Sequence, residues 1–110
     1  MNKKILVKGT GASHGLVEGV VVVVRNAKEF SKMREGRILV APITNPSWIL
    51  VMKKALAVIT DKGGMLSHPA IVCREFGIPA VVGTQNATQL LHDGMSIVVD
   101  GKQGKIYEKR

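Results

Sequence analysis

The fold is decided by one stretch of sequence, residues 57–82, which reads AVITDKGGMLSHPAIVCREFGIPAVV. Its first four residues form a short apolar run typical of a buried strand, and the glycine-containing loop that follows cannot continue that strand. From His68 the stretch predicts a helix, because Pro69 is tolerated in a first turn and Gly77 is a typical C-terminal stop. Ile78–Val82 then predicts another buried strand. This order of strand, loop, helix and strand is typical of a parallel α/β unit.

The flanking sequence extends this unit into a mixed α/β domain. Upstream, Asn45-Pro46 predicts the start of a helix, and its apolar face would hold Trp48, Ile49, Met52, Ala55 and Leu56. The remaining pattern predicts strands over 5–9, 16–25, 37–41, 96–100 and 105–108, short helices over 28–34 and 87–91, and a glycine-rich turn region over 9–15. The middle therefore alternates helix and strand while both ends are largely β. We expect parallel strands with crossover helices and a second layer of antiparallel strands.

Composition and charge exclude several classes of protein. The length of 110 residues fits one domain, residues 1–110, and 45% hydrophobic residues is typical of a packed core. No apolar run approaches the ~20 residues of a membrane-spanning helix, and the N-terminus lacks the features of a signal peptide, so we expect a cytoplasmic address. The formal charge of +8 is scattered and has no interleaved aromatics, which disfavours nucleic-acid binding. An anionic substrate or an acidic partner fits this charge equally well.

The sequence predicts neither a metal ion nor a nucleotide in this domain. Cys73 is the only cysteine, which excludes an internal disulfide and a multi-cysteine metal site, and its position inside a helix predicts a buried thiol. The three histidines are scattered and no carboxylates cluster near them. The glycines of residues 9–13 come without a Walker lysine, so a phosphate-binding loop is not expected there.

His68 is the strongest candidate for chemistry. Either Ser67 or His68 caps the predicted helix, and Gly63 and Gly64 allow a tight turn and the close approach of a ligand. The helix N-terminus favours an anion by about 0.3–2 kcal/mol and lowers the pKa of the histidine, which keeps the imidazole neutral and nucleophilic. Arg74, about two turns further along, faces either a phosphate or water. An ordinary helix cap has the same local pattern, so both interpretations stay open at this point.

Other candidate side chains have weaker cases. His92 precedes the turn at Asp93-Gly94 and is expected to be exposed, and His14 lies in the glycine-rich segment. A nucleophile pair of Ser67 and His68 is not expected, because adjacent residues at a helix start rarely point their side chains at each other.

Residues 60–84 carry a family resemblance. They read TDKGGMLSHPAIVCREFGIPAVVGT and resemble the signature of the mobile domain of phosphoenolpyruvate-utilising enzymes. Further similarity lies at residues 41–48, Asp93-Gly94 and Asp100-Gly101, so that the resemblance covers essentially the whole chain. It implies a three-layer β/β/α swivelling phosphohistidine domain with mixed parallel and antiparallel sheets.

The resemblance also implies functional residues and partners. His68 would accept the phosphoryl group, flanked by Gly63, Gly64 and Ser67. The partners would be an ATP-grasp nucleotide-binding domain and a barrel domain that binds phosphoenolpyruvate or pyruvate with Mg²⁺. They would be separate polypeptides or parts of a longer chain, and Met1 with its immediate first strand favours a freestanding protein. This domain would bind no cofactor itself and would not be a complete enzyme alone.

Two functions follow as alternatives. The first is a phosphocarrier that shuttles a phosphoryl group between partner sites, and the second is a catalytically silent module for regulation or interaction. The Gly-Gly-x-x-Ser-His segment favours the carrier, since a scaffold has no evident need for a reactive imidazole. Leu66 stands where several dikinases and synthases have a regulatory threonine, so that form of control is not expected.

Overall fold

A computed structural model describes residues 4–109 of the chain. Their strands, in chain order, are β1 (Ile5–Lys8), β2 (Thr10–Ser13), β3 (Leu16–Val23), β4 (Ile38–Ala41), β5 (Ala57–Thr60), β6 (Ala80–Val82), β7 (Ser96–Asp100) and β8 (Lys105–Glu108). The helices are α1 (Ile49–Met52), α2 (His68–Phe76) and α3 (Ala87–Leu90), with 3-10 turns over Ala27–Lys32 and Pro46–Trp48. No helix in this described part is long and apolar enough to cross a bilayer.

Strand β3 belongs to two sheets. Its residues 16–20 pair with antiparallel β7, whereas Val21–Val23 pair with parallel β4. On one side the sheet continues through β8 to β1, all antiparallel. On the other side β4, β5 and β6 are parallel, and antiparallel β2 forms the edge. The strands therefore follow the order β1-β8-β7-β3-β4-β5-β6-β2, with β3 as the shared element.

Two apolar cores separate three layers, and β4 contributes to both because side chains alternate along a strand. Ile38 and Val40 pack into the core that joins residues of the two sheets. Leu39 and Ala41 pack into the core that joins the parallel sheet to α1 and α2. This is the predicted β/β/α arrangement with mixed sheets, so the fold class is confirmed.

Most predicted elements are present, and β5, α2, β7 and β8 have the predicted bounds. The turn region predicted over 9–15 is wrong, since it contains strand β2. A Cβ on Gly11 would overlap the carbonyl oxygen of Lys102 in the turn between β7 and β8. The glycine therefore marks a close approach of two backbones within a strand, and not a turn.

The predicted helix after Asn45 is shorter than expected, and its apolar face is only partly correct. The Asn45 side chain caps a 3-10 turn, which leads into the four-residue α1. Trp48 and Met52 are buried as predicted, but Leu56 is 36% exposed because α1 ends before it and the chain already turns toward β5. The helix predicted over 28–34 is likewise a 3-10 turn, Ala27–Lys32.

Candidate functional site

The carboxyl ends of the parallel strands β4, β5 and β6 meet at one edge of their sheet. Ligands commonly bind at this edge in α/β proteins, because the loops that leave it lie side by side. Thr44 follows β4 by three residues, and His68 begins α2 after the loop that leaves β5. The sheet thus brings together two side chains that are 24 residues apart in sequence.

Thr44 and His68 are joined by a hydrogen bond, with 2.7 Å between Thr44 Oγ1 and His68 Nδ1. Thr44 is 4% exposed, so its hydroxyl is held in place by the surrounding chain. When Nδ1 carries the ring proton it donates to this hydroxyl, and Nε2 then has a free lone pair. Thr44 was not among the candidate residues. It had two signals in the sequence, its position just after β4 and its place within residues 41–48, to which the family resemblance extends.

The second ring nitrogen of His68, Nε2, is buried and has no hydrogen-bond partner among residues 4–109. Burial lowers the pKa of His68 below its ordinary value, because loss of water penalises the charged imidazolium. The direction is the predicted one, and burial is a cause that the sequence did not indicate. The imidazole is therefore neutral at pH 7, which is the form that a nucleophile requires.

Gly63 and Gly64 play different parts in the loop before His68. Gly63 has a φ of +109°, and a Cβ there would lie 2.7 Å from Ser67 Oγ, so the position requires glycine. Gly64 has no positive φ, and a Cβ there would meet no atom within 4 Å. Ser67 is the N-cap residue of α2, yet its hydroxyl donates to Gly64 O at 2.7 Å and caps no backbone N–H. Ser67 therefore braces the loop.

Arg74 holds the same loop from the side of α2. Its guanidinium donates to Met65 O at 2.7 Å and to Ala12 O of β2 at 3.2 Å. The sequence left open whether this side chain faces a phosphate or water, and in the structure it binds two backbone carbonyls. Arg74 thus fixes the position of the segment that leads into His68.

The start of the loop is fixed by Asp61. Its carboxylate accepts hydrogen bonds from the backbone N–H of Thr88 at 2.9 Å and from the Thr88 hydroxyl at 2.6 Å, which ties the loop to α3. The Thr84 hydroxyl donates to Thr60 O at 3.0 Å, linking the ends of β5 and β6. The loop is therefore anchored before Gly63 as well as after it.

Other candidates from the sequence lie outside this arrangement. Cys73 is fully buried in α2, and burial raises the pKa of its thiol to about 12, as expected of an unreactive cysteine. His14 and His92 are exposed. Residues 4–109 contain no group of three or more His, Cys, Asp or Glu side chains that could hold a metal ion.

The layered fold, and the glycine loop before a histidine at the start of a helix, agree with the comparison to known proteins. Residues 33–104 match the family model of the PEP-utilising enzyme mobile domain, and the chain belongs to this family. It is 54% identical over 107 residues to a probable phosphoenolpyruvate synthase of Archaeoglobus fulgidus, and the match covers 97% of this chain. It is also 50% identical over 105 residues to the phosphoenolpyruvate synthase of Pyrococcus furiosus. The chain spans only 14% and 13% of the lengths of these two relatives.

Two solved structures are similar to this chain, one in both sequence and fold and the other in fold alone. A solution structure of Enzyme I is 38% identical with a TM-score of 0.60, over 70% of this chain and 32% of that one. The crystal structure of Thermococcus kodakaraensis aconitase X covers the whole of both chains with a TM-score of 0.71. Its identity is 22%, so this second likeness concerns the fold alone.

Proposed function

We propose that this chain is a phosphocarrier in which Nε2 of His68 accepts a phosphoryl group and carries it between two partner sites. The observation that carries the proposal is the hydrogen bond of 2.7 Å between Thr44 Oγ1 and His68 Nδ1. It orients the ring, and with the ring proton on Nδ1 it leaves Nε2 as the nitrogen with a free lone pair. The lowered pKa of His68 supports the proposal, because it keeps the ring neutral at pH 7.

The transfer itself is a displacement at phosphorus. The Nε2 lone pair forms the N–P bond while the P–O bond of the donor breaks, and that electron pair stays on the donor oxygen. With phosphoenolpyruvate as donor, the departing enolate takes up a proton at carbon and becomes pyruvate. The imidazole ring gains a positive charge in this step, and its Nδ1–H continues to donate to Thr44 Oγ1. Transfer to an acceptor reverses the same bond changes.

The partner sites would lie on other domains. The sequence resemblance points to an ATP-grasp domain for the nucleotide and a barrel domain for phosphoenolpyruvate or pyruvate, with Mg²⁺ bound by those domains. Membership of the family and the small share of each relative that this chain spans support such partners. One carrier that visits both would let two separate sites share a phosphoryl group.

Nε2 is covered in the conformation described, so a donor reaches it only after a local movement. Thr44 and His68 can shift together with their hydrogen bond kept, or the segment 62–67 can shift. The braces from Arg74 and Asp61 make the shift of the pair the smaller movement, because the loop is hydrogen-bonded at both ends. Phosphorylation therefore includes a rearrangement at Thr44 and His68 in addition to the chemical step.

A labelling experiment tests the proposal. The chain is mixed with the full-length Archaeoglobus fulgidus relative, in which the residue aligned with His68 is replaced by alanine, and with Mg²⁺ and ³²P-labelled phosphoenolpyruvate or ATP. We expect a label on this chain that is stable in base and lost in acid, as a phosphoramidate bond is. His68→Ala should abolish the label.

Variants at the other histidines serve as matched controls. His14→Ala and His92→Ala remove exposed imidazoles elsewhere on the chain and should leave the label in place. A label that survives His68→Ala would overturn the proposal. If neither donor labels the wild-type chain, the silent regulatory or interaction module becomes the better description.

A further inference from the structure

Exposed apolar side chains surround the candidate site, and we call them the apolar collar. Its members are Ile43 (38% exposed), Met65 (47%), Leu66 (86%) and Ile71 (44%). Large apolar residues are usually buried, and a group of them on a surface commonly marks a binding site. A single exposed apolar side chain would need no explanation, but four of them near one functional side chain do.

The members come from three segments that converge at His68. Ile43 precedes Thr44, the hydrogen-bond partner of His68, and its Cδ1 lies 3.4 Å from the Cβ position of Gly63. Met65 and Leu66 lie in the loop immediately before His68. Ile71 is three residues after it, and residues three apart lie on the same side of a helix. The collar is therefore centred on the histidine.

The loop that presents Met65 and Leu66 is held firmly by hydrogen bonds. Arg74 binds Met65 O, and the Ser67 hydroxyl and backbone N–H both bind Gly64 O. The backbone is fixed on either side of Leu66, and its side chain is 86% exposed. Leu66 is thus presented to solvent in a defined position, which lowers the entropy lost when a partner covers it.

Beside Leu66 the collar has a gap. A Cβ on Gly64 would meet no atom within 4 Å, so the surface there is open. An incoming group can approach the backbone at Gly64 through this gap while the apolar side chains contact the surface around it. The arrangement combines an apolar rim with a polar centre, as the interfaces of protein partners do.

We propose that the apolar collar docks onto the partner surface that surrounds the phosphoryl-donor site, with Leu66 inserted into an apolar recess there. This inference rests on the proposed function and adds the surface through which the carrier is recognised. Two observations favour a partner domain as the occupant. The collar encloses the side chain that must meet the donor, and this chain spans only 14% of a relative that is 54% identical to it.

The collar also gives a reason for an apolar surface at this place. A phosphoryl group in transfer can be lost to water, and an apolar rim covered by a partner surface excludes water from the reacting atoms. A docking surface made of charges would hold water around His68. Lys62 lies in the same loop and Arg74 braces it, whereas the other basic residues of the described part lie outside the collar and can guide approach to an acidic partner.

Leu66→Ser tests the proposal, with Leu16→Ser as its matched control. Leu16 is 68% exposed and lies at the amino end of β3, away from the edge that carries His68. The readout is the rate of labelling by the full-length relative as the concentration of the carrier chain varies. We expect Leu66→Ser to raise KM for the carrier about tenfold with little change in kcat, since one buried leucine contact is lost. Ile71→Ser should act in the same direction, and Leu16→Ser should match the wild type.

Each other outcome decides against the collar or against the proposed function. Equal KM values for Leu66→Ser, Leu16→Ser and wild type would overturn the docking role of the collar. A label on His68 in the same experiment would still support the proposed carrier function. A chain that sediments as a dimer, and becomes monomeric on Leu66→Ser, would show that the collar binds a second copy. A wild-type chain that takes no label would overturn the proposed function itself, and with it the docking inference.

Discussion

Thr44 Oγ1 lies 2.7 Å from His68 Nδ1, across the loops that leave two neighbouring parallel strands. Thr44→Val keeps the shape of the side chain and removes the hydroxyl. We expect phosphoryl transfer to His68 to fall about 10- to 100-fold, since a hydrogen bond to a charged group contributes about 1.5–3 kcal/mol and 1.36 kcal/mol is tenfold in rate. The measurement is the initial rate of ³²P incorporation. Thr44→Ser retains the hydroxyl and should recover most of the rate.

The nitrogen chemical shifts of His68 separate a positioning role for Thr44 from a structural one. In the wild type they should report a neutral ring with the proton on Nδ1. In Thr44→Val the proton should distribute between both nitrogens. If the variant transfers at the wild-type rate and keeps the same tautomer, Thr44 does not orient the ring.

The two loop glycines form a matched pair. Gly63→Ala places a side chain at φ +109° and against Ser67 Oγ, so we expect the free energy of unfolding to fall by about 2 kcal/mol or more. Gly64→Ala meets no atom within 4 Å and should change stability by less than about 0.5 kcal/mol. Urea unfolding measures both effects.

Gly64→Ala then tests the close approach of the donor. With stability preserved, we expect labelling of His68 to fall at least about tenfold, because the new methyl group would occupy the gap beside Leu66. Unchanged labelling would mean that the donor does not pass over this position, and that glycine is not needed there.

Loss of the Arg74 hydrogen bonds should increase local opening of residues 62–67 more than it lowers the stability of the whole domain. Arg74→Met keeps the aliphatic length and loses the donors to Met65 O and Ala12 O. We expect the stability to fall by about 1 kcal/mol and amide hydrogen exchange to accelerate in residues 62–67. Exchange in β4 and β5 should be nearly unchanged. Equal protection of the loop in both proteins would contradict the brace.

The lowered pKa of His68 predicts how stability depends on pH. The unfolded chain binds a proton at the ordinary value of 6.5, and the folded protein binds it only at lower pH. The unfolded state therefore holds more protons between the two values, and stability falls as the pH drops from 6.5 through the folded-state pKa. Above 6.5 this contribution is fully present. As the pH is lowered from 7.5 to 5, the urea midpoint should decline more in the wild type than in His68→Gln. Parallel curves of midpoint against pH for the two proteins would contradict a lowered pKa of His68.

The sequence predicted the elements that local pattern determines. Strand β5 and helix α2 were recovered with their bounds because an apolar run, Pro69 and Gly77 each act on their immediate neighbours. Strand β2 was missed, since Gly11 is required by the backbone of Lys102, which is 91 residues away in sequence. A close approach between distant segments leaves no local signal.

The candidate site divides in the same way. His68, Gly63 and Ser67 follow one another closely and could be found as one motif. Thr44 meets His68, and Arg74 meets Ala12 O, only through the order of strands in the sheet, and no single segment of sequence determines that order. The lowered pKa of His68 was predicted from the helix end alone, whereas burial, which lowers it in the structure, depends on segments distant in sequence.

The pairing of β1 with β8 has a consequence for how the chain is made. The strand Ile5–Lys8 hydrogen-bonds with Lys105–Glu108, which is synthesised about 100 residues later. At roughly 5–20 residues per second, translation leaves β1 without its neighbour for about 5–20 seconds. The antiparallel sheet thus closes only after residues 105–108 have left the ribosome. Until then Val7, which is buried in the finished fold, is exposed to chaperones and to other nascent chains.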